Sequence, residues 1–396
     1  MKIATAWATE LGYDAVKNAY KDLLSQLGAK PSYLVVSFSV NYDPEIILQV
    51  IHELSPGVPV QGASSCLGTM TQAGFHSDKG SGLSLFGVLD PEGSYGVGIS
   101  IIGDDPEQAA KNAMTQALAR ANCIGEVPAM IWLTAAPGCE ERVMKGIAAV
   151  VGEGVPIAGG SSADNTVTGE WKQFADKTVY TQAVVIGVLF PSTKVMSAFH
   201  SGYEPTSKMG KVTKVDGRVL IEIDHRKAAE VYNEWTLGLI TNVIPKGGSI
   251  LAATSLHPLG RVVGHIGDVP YYQLTHPDTV VADGSLTMFT DMALNDEVVL
   301  MQGSEDSLVS RAARVAVSAR EIHAVEATDI AGALVIYCAG CMLTVKDRMD
   351  EVVSGLQEAL PGTPFMGSFT FGEQGCFVGG ENRHGNLMIS VMLFCQ

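Results

Sequence analysis

Short apolar runs alternate along nearly the whole chain with stretches whose apolar residues recur every three or four positions. The runs at 33–39, 129–134 and 333–337 are rich in β-branched and aromatic residues and read as strands. The stretches that follow, at 44–54, 140–151 and 345–360, carry the helical period. Each helix leads into one repeated pattern, G-x-P-apolar-x-G followed by small and hydroxyl residues. Its copies run from Gly57 to Ser65, from Gly154 to Ser162 and from Gly362 to Thr370. A further strand follows each copy, at 82–89, 182–190 and 386–394. Upstream, strand and helix pairs are predicted at 2–8 with 12–27, at 96–102 with 105–120 and at 297–301 with 305–321.

The chain therefore reads as three β-α-β-α-β-β units over 2–89, 95–190 and 297–394. Residues 191–296 form an unrepeated insert, in which 214–224 reads as a strand and 228–239 as a helix. The expected fold class is α/β, with mixed sheets flanked by helices and right-handed crossovers. Two domains are expected, 1–190 holding two units, and 191–396 holding the insert and the third unit. Ligands in such sheets sit at the carboxyl ends of strands, which points to the loops 39–43, 135–139 and 338–341. The repeated glycines also have a purely architectural explanation, since they set a turn and let a strand pack closely.

Composition narrows the function. The 396 residues suggest two or three domains at about 150 residues each. Lys and Arg number 26 against 42 Asp and Glu, a net charge of −16. That leaves no cationic cover for nucleic-acid phosphates and disfavours an anionic membrane surface. No apolar run reaches the ~18 residues of a spanning helix, and Glu10 and Asp14 come too early for a signal peptide, so a cytoplasmic protein is expected. Seven cysteines, an odd number, suggest free thiols rather than a disulfide framework. Dinucleotide, P-loop, nucleophile-elbow and H-E-x-x-H patterns are absent, as is C-x-x-C-H, because Met342 follows Cys341.

Several segments together resemble the FIST family. They are Gly202-Tyr203-Glu204-Pro205 leading to Val212-Thr213, then Glu222-Ile223-Asp224, Ala228-Ala229-Glu230-Val231-Tyr232, Phe371-Gly372-Glu373-Gln374-Gly375 and His384-Gly385-Asn386. The resemblance implies an N-terminal and a C-terminal FIST domain and a sensory role in signal transduction. The wording Phe199-His200-Ser201-Gly202-Tyr203-Glu204-Pro205 and Tyr337-Cys338-Ala339-Gly340-Cys341-Met342 is similar to the NosP branch. That branch implies haem b as cofactor, nitric oxide as signal, a sensor histidine kinase as partner and no catalysis. A homodimer is admitted alongside these partners. The chain departs from the family at Gly62-Ala63-Ser64-Ser65, where many members carry Gly-Glu, and this speaks against amino-acid sensing as the alternative.

Haem requires an axial ligand, most often His, and an apolar pocket. His200, at the end of an apolar strand and close to Tyr203, is the first candidate ligand. His257, His265 and His276 lie in the insert with Tyr271 and Tyr272. The alternative chemistry is a thiol or metal site. Cys338 and Cys341 form one C-x-x-C pair, and Cys376 follows the third repeated pattern. Three thiolates with a fourth donor suit zinc or an iron–sulfur cluster, whereas buried thiols without metal serve as small apolar side chains. Asp164, Asn165 and Trp171 are compatible with a polar pocket or with a hairpin turning at Thr168-Gly169.

Overall fold

The computed structural model describes residues 1–396, the side chains of Ile266 and Val269 apart. Three six-stranded sheets are built to one plan. In the first, Lys2–Ala8 pairs with Leu83–Leu89, which pairs with Tyr33–Phe38, which lies parallel to Val60–Ser64. The second repeats this order with Ser94–Ile101, Ala183–Phe190, Met130–Ala135 and Ile157–Ser161. The third repeats it with Val195–Ser201, Met388–Cys395, Ile330–Cys338 and Phe365–Thr370.

The central strands are apolar at successive positions because both faces are buried. In the first sheet, Leu34, Val36 and Phe38 face the helices Tyr13–Leu27 and Pro44–Leu54. Tyr33 and Val35 point the other way, into a core shared by all three sheets. Trp132 of the second sheet and Leu334 and Ile336 of the third enter that same core. Helices Pro106–Arg120 and Glu140–Val151 cover the second sheet, and Glu305–Ile322 and Met349–Ala359 cover the third. Asp43 and Asp105 cap two of these helices, each just before a proline whose missing N–H costs nothing in the first turn.

Each sheet is completed by a hairpin from another unit. The hairpin Gln173–Ala175 with Thr178–Tyr180, from the second unit, extends the first sheet. The third unit's hairpin, Gly372–Cys376 with Asn382–Gly385, extends the second sheet. The first unit's hairpin, Thr69–Thr71 with Gly74–His76, closes the cycle on the third sheet. The repeated glycines serve this exchange. A Cβ on Gly62 would sit 2.2 Å from the Phe174 ring, and one on Gly367 would sit 2.4 Å from Met70. The architectural explanation of the repeat is thus realised at these two copies.

The insert differs from its expected outline. Glu297–Gln302 does not open the third sheet; it pairs with Glu204–Asp216 and Leu259–Ile266 in a separate nine-stranded sheet. Val195–Ser201 holds the edge of the third sheet instead, so the additional sheet interrupts the third unit between its first strand and its helix. The expected strand at 214–224 is a hairpin, because Gly217-Arg218 turns the chain and Gly217 has φ +53°. The helix ends at Trp235, since Leu237 and Gly238 both take positive φ. Among the described residues no helix is long and apolar enough to cross a membrane.

Candidate functional site

A cavity of about 640 Å3 opens where the second unit, the insert and the third unit meet. Its wall is built from strand ends, as expected for α/β sheets. Pro137 and Gly138 follow the strand Met130–Ala135, and Cys338 to Gly340 follow Ile330–Cys338 at the start of the helix Ala339–Thr344. Two of the three predicted loops therefore reach the cavity; the loop 39–43 does not. The lining is mostly apolar, with Trp171, Phe289, Leu343 and Phe371 as its large side chains. Trp171 meets Phe371 edge-on at 6.3 Å.

The insert contributes His276, which is buried. Its Nε2 lies 2.9 Å from the Thr254 hydroxyl, which is itself 2.9 Å from the Pro277 carbonyl oxygen. That hydroxyl also reaches the Ile250 carbonyl oxygen at 3.1 Å, so a cluster of fixed polar groups orients the ring, and the neutral imidazole keeps one nitrogen lone pair. Burial pushes the imidazole down to about 4, keeping it neutral.

Glu140 and Arg218 form the polar end of the wall. The Arg218 guanidinium lies 2.8 Å from Glu140, 2.5 Å from Glu141 and 3.0 Å from Asp291. Glu140 also accepts from Ser161 Oγ at 2.7 Å and from the Gly138 N–H at 3.0 Å. Burial alone would push its carboxyl up; His384, Arg218 and these donors bring it down to about 2. Glu140, Glu141 and His384 make the one group of three or more metal-type donors gathered within 4.8 Å among the described residues. Arg218 bridges Glu140 and Glu141 of the second unit and Asp291 of the insert, so the arrangement ties the insert to the second unit by ion pairs.

The predicted site residues scatter around this cavity. His200 lies between its strand and the helix Glu305–Ile322, with Nε2 3.4 Å from Ser318 Oγ, and does not line the cavity. His257 is half-buried and His265 exposed, and neither lines it. Tyr203 is buried beside the cysteines, its hydroxyl donating to the Ser255 carbonyl at 2.6 Å and lying 3.6 Å from Cys341 Sγ. Cys338 reaches the cavity wall, whereas Cys341 is fully buried. Cys376 sits in the exchanged hairpin, and its sulfur is not gathered with the other two. Asp164 does not line the cavity: its carboxylate receives N–H groups of Thr166, Thr168, Gly169 and Glu170 and organises that loop. The hairpin there turns at Asp176-Lys177 rather than at Thr168-Gly169.

Two residues of the cavity wall, Glu140 and Arg218, were not singled out in the chain, nor was Arg311, which lies off the wall with Nη1 3.3 Å from Cys341 Sγ. Arg311 had a legible signal. It occupies the buried face of its helix with Leu308, Val315 and Ala319, where a charge requires a partner. Glu140 and Arg218 are joined only by folding, 78 residues apart.

An uncharacterized protein of Methanocaldococcus jannaschii is 34% identical over 80 residues, which are 20% of this chain and 16% of that one. The chain thus matches a small part of that relative's length. A cyanuric acid hydrolase from A. caulinodans aligns with 100% of this chain and 99% of its own at a TM-score of 0.39 and 9% identity. Phosphoribosylformylglycinamidine synthase II of Thermotoga maritima aligns with 76% of this chain and 72% of its own at a TM-score of 0.20 and 10% identity. Residues 32–226 match the FIST N domain and residues 228–376 the FIST C domain. The two matches meet inside the insert, and the chain belongs to the FIST family, whose domains are sensors in signal transduction.

Proposed function

We propose that this sensor detects its signal through a largely apolar ligand held in the 640 Å3 cavity, and that the ligand is haem. The observation that carries this reading is His276, a buried imidazole kept neutral within an apolar wall. Haem requires both features, an imidazole lone pair for iron and an apolar enclosure for the ring. Bound haem would supply the iron at which nitric oxide binds. His276 would hold that iron, Thr254 would fix its ring, and Trp171, Phe289 and Phe371 would enclose the macrocycle. A sensor histidine kinase then reads the change in the cavity wall, consistent with the NosP-like wording around Tyr203 and Cys338.

The charge on the wall favours this reading over amino-acid sensing. Arg218 is the cation there, and three carboxylates already share it. An amino acid would have to bury both of its charged groups against this wall with no free partner, whereas haem would bury its apolar ring and leave its propionates at the open side in water. The test is an absorbance titration of the purified chain with haem, reduced, before and after nitric oxide. A sharp Soret band that moves with nitric oxide, survives His200→Ala and is lost in His276→Ala is expected. Broad absorbance of adsorbed haem in the unsubstituted chain overturns the reading.

A further inference from the structure

We infer that Cys338 and Cys341 are a peroxide-reactive dithiol in the cavity wall, with Cys341 as a buried thiolate and Cys338 as the sulfur that meets the oxidant. The argument begins at Arg311, whose side chain is 1% exposed. A guanidinium cannot be neutralised in a protein, so its burial requires an anion. Its Nη1 lies 3.3 Å from Cys341 Sγ, its Nη2 donates to the Leu387 carbonyl, and the Tyr203 ring stacks 5.3 Å away. Among the described residues no carboxylate oxygen lies within 4.0 Å of this guanidinium. The nearby buried Glu373 accepts from Thr370 Oγ1 and the Met388 N–H, and burial holds its carboxyl well above the usual range. Cys341 is therefore the group in contact that can supply the charge.

Burial by itself would raise the Cys341 thiol. The neighbouring Cys338 thiol and Arg311 together bring it below its ordinary value. Cys338 is the opposite case, a thiol that its neighbour Cys341 and burial hold protonated. Only Cys338 touches the cavity.

The reaction balances with hydrogen peroxide as the oxidant. The Cys338 proton passes to Cys341, and the Cys338 sulfur attacks one peroxide oxygen. The O–O bond breaks, leaving a sulfenic acid on Cys338 and hydroxide. Hydroxide takes the proton back from Cys341 as water. The Cys341 thiolate then attacks the Cys338 sulfur and displaces the second hydroxide. Two sulfurs have lost two electrons, and the peroxide leaves as water and hydroxide. Arg311 is left without its counter-charge, so oxidation perturbs the same wall that the ligand contacts.

The test uses the full chain without haem, so its outcome is independent of the haem reading. The folded protein is treated with limiting hydrogen peroxide, then alkylated after denaturation and digested with trypsin. Both cysteines fall in the fragment 321–346. That fragment is expected to escape alkylation, with a mass two hydrogen atoms below that of its unalkylated reduced form, before Cys139 or Cys376 is protected, although those two are the more exposed thiols. Far-ultraviolet thiolate absorbance at neutral pH is expected to fall in Cys341→Ser and to persist in Cys338→Ser. Earlier oxidation of Cys139 or Cys376, with 321–346 unchanged, overturns the inference. So does Cys341→Ser keeping the full thiolate absorbance.

Discussion

At the scale of the residue, charge and burial decide behaviour. Glu140 is buried and depends on Arg218 for compensation. Arg218→Met should cost about 3–5 kcal/mol, because it strands a buried carboxylate, and Arg218→Met with Glu140→Gln should recover part of that loss. Urea denaturation of the three proteins checks both expectations. His76 and His276 are each pushed down to about 4 by burial. In the unfolded chain they take up protons near pH 6.5, so acid favours unfolding. Their contribution is present above that pH and is lost as pH falls toward 4. Stability should drop by about 2 kcal/mol for each histidine between about pH 7.5 and pH 5. Glu140, held near 2, contributes mainly below that window. Denaturation curves at the two pH values, with and without His76→Gln, measure the effect. The chain marked His276 as one of several histidines, yet preferred His200. Both sit beside apolar residues, and strand periodicity alone does not say which faces a cavity and which faces a helix.

At the scale of the element, the repeat was legible and its purpose was not. The six helices and the central strands follow from apolar periodicity and β-branched runs. The glycine that ends each repeated pattern looks like a turn residue, whereas Gly62 and Gly367 make room for hairpins from other units. Gly62→Ala should therefore destabilise by about 1–3 kcal/mol, the usual cost of overpacking, since the buried Phe174 ring must move. Gly103→Ala, with nothing within 4 Å of its added methyl, should stay within about 0.5 kcal/mol of the parent. Equilibrium unfolding of the pair separates a packing glycine from a neutral one. The third unit's first strand was misplaced for a related reason. Both 195–201 and 297–302 are apolar enough to join a sheet, and only pairing with Met388–Cys395 distinguishes them.

At the scale of the whole molecule, the cyclic exchange of hairpins ties each unit to the next. No unit can leave without removing a hairpin from a neighbouring sheet and opening the shared core. The three units should therefore unfold in one transition. Hydrogen exchange in urea, followed in Tyr33–Phe38, Met130–Ala135 and Ile330–Cys338, should give coincident midpoints; separate midpoints would show independent units. The sequence by itself determined the α/β class, the threefold repetition, the FIST resemblance and two of the loops that form the cavity. These are properties of periodicity and local order, which a chain carries along its length. Tertiary structure decided which strand closes each sheet, which unit receives each hairpin, that His276 and not His200 meets the cavity, and that Arg311 faces Cys341. Each of those depends on residues distant in sequence. Periodicity records that a face is buried, but folding alone selects what it is buried against.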